Sequence, residues 1–343
     1  MSNKVKIAIN GFGRIGRNVA RAYFERYDEY QDTIDLVAVN NSKNYDTLAH
    51  LFKYDSVHRT FKGSVKIDGD KLVVNGKSIQ LLAVRNLEDQ DWKSLGVDIV
   101  IESTGAFLTR ADAQKHIDGG ARKVIITAPS KDTVDANIVI GVNDADISAD
   151  KHIYSNVSCT TNCLAPMVKV LEENFGIDSG FLLTIHAYTR DQNIVDAPHK
   201  DLRRARSAAV SIIPTTTGAT NAIEKIYPSL KGKLTGYATR VPVPDGSLTD
   251  FTCKLKKITT LEEINAAFKK AAEGPLKGIM EYQTDPIVSS DIIGNTHSVI
   301  FDSLLTQVIP ADGTHIRVVG WYDNEWGYSN RVLDLAKQIS KTL

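Results

Sequence analysis

Val5-Lys6-Ile7-Ala8-Ile9 runs directly into Asn10-Gly11-Phe12-Gly13-Arg14-Ile15-Gly16, and this junction restricts the possible folds more than any other feature of the chain. A short apolar strand that ends in G-x-G-x-x-G and opens a helix is the first βα unit of a dinucleotide-binding sheet. Gly11 permits the tight turn and Gly13 lets the backbone approach a pyrophosphate. Gly16 lets the helix pack closely, and the helix N-terminus attracts the phosphates. Ile15 to Glu25 carries Ile15, Val19, Ala22 and Tyr23 along one face, as an amphipathic helix would. The pattern also calls for an acidic residue about 20 residues on, at the end of the second strand, to hold the adenosine ribose. That place reads Val39-Asn40-Asn41-Ser42-Lys43, and Asp35 lies too early inside the strand.

Further strands are expected at Ile34 to Val39, Asp98 to Glu102, Lys123 to Thr127 and Asn137 to Ile140, with a helix from Ala111 to Ile117. Strands alternating with helices indicate an α/β fold with a doubly wound parallel sheet. After Cys159 the pattern becomes β-rich, at Phe181 to Ile185, Thr235 to Val241, Asp250 to Leu255, Val299 to Leu305 and His315 to Tyr322. This predicts a second, α+β domain with a mainly antiparallel sheet. Ser329 to Ile339 is amphipathic and could dock on either domain. The 343 residues are enough for two separately buried cores.

Lys plus Arg and Asp plus Glu are both 41, so the charge balance argues against nucleic acid or an acidic membrane surface as partner. Three cysteines do not make a disulfide framework in a chain this long, which points to a reducing compartment. No targeting segment or long apolar run is expected.

Ser158-Cys159-Thr160-Thr161-Asn162-Cys163 sets a cysteine among small hydroxylated residues, just ahead of apolar Leu164, Ala165, Met167 and Val168. Cys159 is therefore expected at a helix N-terminus, where unpaired amides should lower a thiol pKa and can stabilise an oxyanion. A free cysteine is more commonly a small buried hydrophobe, which is the reading for Cys163 one turn further on. A nucleophilic thiol needs a base. Of the eight histidines, His186 ends the apolar run Phe181-Leu182-Leu183-Thr184-Ile185, whereas the others sit mostly in polar surroundings. Two cysteines four apart, without a second ligand pair, do not indicate metal. Thr189-Arg190, Arg203-Arg204-Ala205-Arg206, Thr215-Thr216-Thr217-Gly218 and Arg240 offer donors for a phosphate. The arginine cluster would equally suit a solvated helix face or interface ion pairs, and the threonine run an ordinary turn.

With these segments in order, together with His186-Ala187-Tyr188-Thr189 and Trp321-Tyr322-Asp323-Asn324-Glu325-Trp326-Gly327-Tyr328, nearly the whole chain resembles phosphorylating glyceraldehyde-3-phosphate dehydrogenases. The resemblance implies a Rossmann domain over 1–158 completed by a C-terminal helix at 324–343, a catalytic domain over 159–323, and a cytoplasmic homotetramer. It implies oxidation of glyceraldehyde 3-phosphate by NAD(P) and phosphate to 1,3-bisphosphoglycerate through a thioester on Cys159, with His186 as base. Gly11, Gly13, Arg14, Ile15, Gly16, Asn41, Arg85, Thr127 and Asn324 match cofactor positions. Thr189 and Arg240 match the substrate-phosphate site. Ser158, Thr160, Thr217, Gly218 and one arginine of the cluster, taken as Arg204, match the site of the attacking phosphate.

Two positions bear on the cofactor. Asn41 stands where the family usually has Asp, which opens the way to NADP; Pro198 matches a proline that in NAD-selective relatives crowds the ribose from a neighbouring subunit. Rival readings are an erythrose-4-phosphate dehydrogenase, which passes its thioester to water, and a catalytically silent binding protein on the same fold. Thr160, Thr217 and Arg240 favour the first reading over the former, and retention of Cys159 with His186 speaks against the latter.

Overall fold

A computed structural model describes residues 4–41, 44–310 and 312–343 of the chain. The chain forms two compact units, residues 1–157 with 329–343, and residues 158–328.

In the first unit a nine-stranded sheet is built from β1 (Val5–Asn10), β2 (Ile34–Asn40), β3 (Val65–Asp68), β4 (Lys71–Val74), β5 (Lys77–Leu82), β6 (Ile99–Glu102), β7 (Lys123–Ile126), β8 (Ala136–Asn137) and β9 (Ile153–Ser155). The strand order is β3-β4-β5-β2-β1-β6-β7-β9-β8. Its helices are α1 (Arg14–Glu25), α2 (Tyr27–Tyr30), α3 (Tyr45–Lys53), α4 (Trp92–Leu95) and α5 (Arg110–Asp118). Strands β6 and β7 are buried throughout, the reason Ile99-Val100-Ile101 and Val124-Ile125-Ile126 read as continuous apolar runs rather than alternating ones. All pairings from β5 to β8 are parallel, whereas β3, β4 and β5 pair antiparallel at one edge. Strand order reverses at β1, so a crevice opens at the carboxyl ends of β1 and β6, where such sheets bind ligands.

The second unit carries α6 (Cys159–Asn174), α7 (Ala219–Ile226) and α8 (Leu261–Glu273). Its sheet contains β10 (Ile177–Ala187), β11 (Ile213–Thr215), β12 (Leu234–Val241), β13 (Ser247–Leu255), β14 (Met280–Gln283), β15 (Val299–Asp302), β16 (Gln307–Val308) and β17 (His315–Tyr322). The order is β11-β12-β10-β13-β17-β15-β14, with β16 on β17. Five of its seven pairings are antiparallel; β10 with β12 and β14 with β15 are parallel. Helix α6 lies directly on β17 because residue 320 is glycine. A Cβ there would stand 2.6 Å from Met167 Sδ and from a Val299 methyl.

Helix α9 (Trp326–Ser340) ends the chain. Its later part belongs to the first unit, where Asp334 accepts from Tyr30 Oη at 2.7 Å and Lys337 Nζ donates to the Glu29 carbonyl at 2.8 Å.

Two expected strands are shorter than their apolar runs. Within Asn137 to Ile140 only Asn137 is in a strand, because the Asn143 side chain takes the Val139 amide at 2.9 Å and the Asn137 carbonyl at 2.8 Å, replacing a ladder. The strand at Val299 stops at Asp302, whose carboxylate accepts from the Leu304 amide at 3.1 Å and turns 303–305 into a 3₁₀ segment.

Candidate active site

Ser158 is the N-cap of α6. Its Oγ accepts from the Thr161 amide at 3.1 Å and lies 2.7 Å from Thr161 Oγ1, which satisfies an amide the first turn would leave open. Cys159 is thereby the first residue of the helix and half-buried, with its Sγ 3.4 Å from His186 Nε2. The preceding Val157 has φ of 49°, a left-handed conformation unusual for a β-branched residue and costing roughly 1–2 kcal/mol. Cys163 is fully buried, its Sγ pointing to the Gly320 carbonyl at 3.6 Å.

His186 arrives on β10, next to Arg240 in the parallel register with β12. Its Nδ1 lies 2.7 Å from the Ala187 carbonyl and 2.6 Å from Arg240 Nη1, which also donates to that carbonyl at 3.0 Å. A base at Nε2 requires the ring proton on Nδ1, donated to Ala187; Arg240, which can only donate, then directs its N–H to the Ala187 carbonyl and not to Nδ1. Ser247 braces the same segment, accepting from the Ala187 amide at 3.1 Å and donating to Asn324 Oδ1 at 2.6 Å. Behind the pair, the buried Tyr322 hydroxyl lies 2.9 Å from Thr160 Oγ1 and 2.8 Å from Thr184 Oγ1, with its ring edge-on to His186.

The thiol does not follow the helix-terminus expectation. Burial pushes Cys159 up to about 11, outweighing Arg240 and the Thr160 amide, which pull it down. Burial, then Arg240, presses His186 down to about 3 against the Ala187 hydrogen bond. Each group alone is held neutral. A thiolate and an imidazolium 3.4 Å apart attract each other, so the two charges form together at far lower cost than either alone.

Thr189 is half-buried, its amide 3.4 Å from Gln192 Oε1. Arg204 donates through Nε to Thr215 Oγ1 at 2.8 Å and pairs with Asp191. Its charge reaches both His186 and Arg240. Arg206 instead pairs with Asp196 at the surface. Thr217 Oγ1 accepts from the Ala219 amide at 3.3 Å, and Gly218 is the N-cap of α7 with open space on its Cβ side.

In the first unit, Gly11 has φ of 95°, and a Cβ on it would fall 2.6 Å from the Thr104 amide nitrogen; a Cβ on Gly16 would fall 2.1 Å from the Gly11 carbonyl. Gly13 is the N-cap of α1, Arg14 and Ile15 open that helix, and Arg14 pairs with Asp55. Beside this turn is a cavity of about 510 Å³ lined by Asn10, Gly11, Asn40, Asn41, Arg85 and Thr104, among others. Asn41 Oδ1 accepts from the Phe12 amide at 3.2 Å. A glycine cradle without room for side chains, beside a polar cavity at the switch point, fits the adenosine and pyrophosphate part of a dinucleotide. Of the other cofactor candidates, Thr127 lies outside this lining, its Oγ1 donating to the Glu102 carbonyl at 3.0 Å, and Asn324 belongs to the second unit. Ser42 and Lys43 lie outside the described residues. Tyr322 and Ser247 were not singled out by sequence. Tyr322 sits in the Trp321 to Tyr328 block, but only the folded chain brings its hydroxyl against Thr160 of the thiol helix.

A dinucleotide-binding unit followed by a unit that presents a thiol–imidazole pair defines an NAD-dependent oxidoreductase. Residues 5–110 match the family described as glyceraldehyde 3-phosphate dehydrogenase, NAD binding domain, and residues 158–324 match its C-terminal domain. The chain is 56% identical over 337 residues to glyceraldehyde-3-phosphate dehydrogenase of Geobacillus stearothermophilus, covering 98% of each chain. It is 55% identical over 341 residues to that of Streptomyces coelicolor and 54% identical over 341 residues to that of Mycobacterium avium, covering 99% of each chain in both cases. This chain belongs to the glyceraldehyde-3-phosphate dehydrogenase family.

Proposed function

We propose that the chain oxidises D-glyceraldehyde 3-phosphate with NAD and inorganic phosphate to 1,3-bisphosphoglycerate, through a thioester on Cys159. The observation that carries this reading is the 3.4 Å approach of Cys159 Sγ to His186 Nε2 at the start of a capped helix. Cys159 attacks the aldehyde carbon while its proton passes to Nε2, and the amides at the start of α6 stabilise the oxygen as charge develops. His186 passes that proton on to the oxygen, giving the hemithioacetal, and takes it back as the hydroxyl becomes the thioester carbonyl. NAD, when bound, accepts the hydride released at this point. Inorganic phosphate attacks the thioester carbonyl, Cys159 leaves as a thiolate, and His186 returns a proton to it.

Arg240 with Thr189 binds the substrate phosphate, and Ser158, Thr160, Arg204, Thr217 and Gly218 the attacking one. Two guanidinium groups acting on His186 support an anion-binding role for this region. Gly11, Gly13, Arg14, Ile15, Gly16, Asn41 and Arg85 hold the adenosine and pyrophosphate end of NAD, with Thr127 and Asn324 as further contacts. Asn41 also leaves room for use of NADP, against which Pro198 of a neighbouring subunit would act by volume.

The working form is a cytoplasmic homotetramer. Support for self-association comes from Ile194, Val195, Leu202, Val210 and Ile212, all on one segment and each 70–81% exposed, an apolar display that calls for a covering partner. No helix among the described residues is long and apolar enough to cross a membrane.

Reduction of NAD and of NADP is followed on glyceraldehyde 3-phosphate and on erythrose 4-phosphate, with and without inorganic phosphate. The expected result is sustained turnover on the triose only when phosphate is present, and at most one reduced cofactor per site without it. Phosphate-independent turnover, faster on the tetrose, would instead identify an enzyme that hydrolyses its thioester.

A further inference from the structure

Glu102, at the end of β6, is buried and takes no part in the chemistry above. Its Oε2 accepts from Asn10 Nδ2 at 2.6 Å and lies 3.1 Å from His116 Nε2; its Oε1 accepts from the Thr104 amide at 2.8 Å and from the Thr104 hydroxyl. The tautomer of His116 follows from Trp92, whose Nε1 lies 3.1 Å from His116 Nδ1. An indole N–H can only donate, so Nδ1 carries the lone pair and the ring proton sits on Nε2, pointing at Glu102. Four donors converge on one carboxylate, which leaves it purely an acceptor.

That direction propagates. Because Asn10 must present its NH₂ to Glu102, its Oδ1 faces the other way and accepts from Asn40 Nδ2 at 2.7 Å. Asn40 in turn bonds both backbone groups of Val84, at 2.9 Å each. Asn10, Asn40, Val84 and Thr104 all line the cavity beside the glycine turn.

We propose that Glu102, oriented by His116 and Trp92, is a positioning residue of the cofactor site, the single buried acceptor that sets which way Asn10, Asn40 and Thr104 face in the cavity wall. The inference rests on the reading of that cavity as the seat of the adenosine half of NAD. Glu102→Gln puts an NH₂ among four donors: with its oxygen kept on the fixed Thr104 backbone amide, the NH₂ meets Asn10 and the His116 N–H, so that Asn10 turns over and its bond to Asn40 is lost. Trp92→Phe keeps a ring packed but removes the indole N–H, so that the His116 ring is held by Glu102 alone and its bond to that carboxylate is weakened.

Calorimetric titration of the parent and both variants with NAD and with ADP-ribose tests this, alongside urea unfolding and the alkylation rate of Cys159. The expected result is a tenfold or greater rise in Kd for both ligands in Glu102→Gln and a two- to fivefold rise in Trp92→Phe, with alkylation unmoved. Kd values within twofold of the parent in both variants, even with lowered stability, would reduce the network to a scaffold and overturn the proposal. Should Glu102→Gln fail to fold, Trp92→Phe decides alone. A parent that binds neither ligand would defeat the functional reading itself rather than this inference.

Discussion

His186 Nε2 is 3.4 Å from Cys159 Sγ, and burial disfavours the charge on each partner separately, so in the proposed mechanism the reactivity of the thiol depends on the imidazole taking its proton. His186→Asn is expected to lower acylation and hydride transfer by about 10²- to 10⁴-fold and to slow alkylation of Cys159 near neutral pH. An alkylation profile identical to the parent's would remove His186 as the partner. At the cofactor turn, Asn41 accepts from the Phe12 amide, a contact an aspartate can make as well. Asn41→Asp therefore adds charge without dismantling the turn, and its repulsion of a 2′-phosphate should sharpen preference for NAD by about 1–3 kcal/mol. The ratio of kcat/KM for NAD and NADP in parent and variant measures it, and an unchanged ratio contradicts the assignment.

Helix α6 delivers the thiol, and Ser158 holds its first turn. Ser158→Ala should cost about 1 kcal/mol in urea unfolding and Ser158→Gly only a few tenths, since glycine tolerates the cap conformation; equal losses would show that the serine does not act as a cap. This helix start was legible in the sequence because a hydroxylated residue precedes an apolar run, and β1, β2 and β17 because their runs end in turns or glycines. The antiparallel edge of β3 to β5 was not. Val65-Lys66-Ile67-Asp68 and Lys77-Ser78-Ile79-Gln80 are short and half-exposed, and their pairing is set by partners rather than by pattern. Helix α8 carried a readable signal in the Thr260 and Glu263 capping box. Cys159, His186 and the glycine turn, to which the proposed function gives the parts of thiol, base and cofactor cradle, likewise stand out by local context. Tyr322, Ser247 and Glu102 come to notice through contacts between residues 162, 60 and 92 positions apart, with Thr160, Ala187 and Asn10 respectively, which no local window contains.

For the whole molecule, stability should decline in acid in two stages. The unfolded chain protonates a histidine below about pH 6.5, but His186 in the fold resists until about 3, so the folded state binds fewer protons and loses stability as pH falls through that window. Asp55 adds a second loss from about pH 4 down to about 2, because the His58 amide, Arg14 and the Val57 amide hold its carboxylate down against burial. Denaturant unfolding from pH 8 to pH 3 should show the first decline flattened in His186→Asn; an unchanged slope would mean that other groups cause it. The account as a whole stands on acyl transfer through one sulfur. Its most direct test is to mix enzyme, NAD and glyceraldehyde 3-phosphate without inorganic phosphate, quench, and locate the added mass by peptide mapping. The account predicts a phosphoglyceryl thioester on Cys159 that disappears when phosphate is added before the quench; an adduct on Cys163 or Cys253, or one indifferent to phosphate, would contradict it.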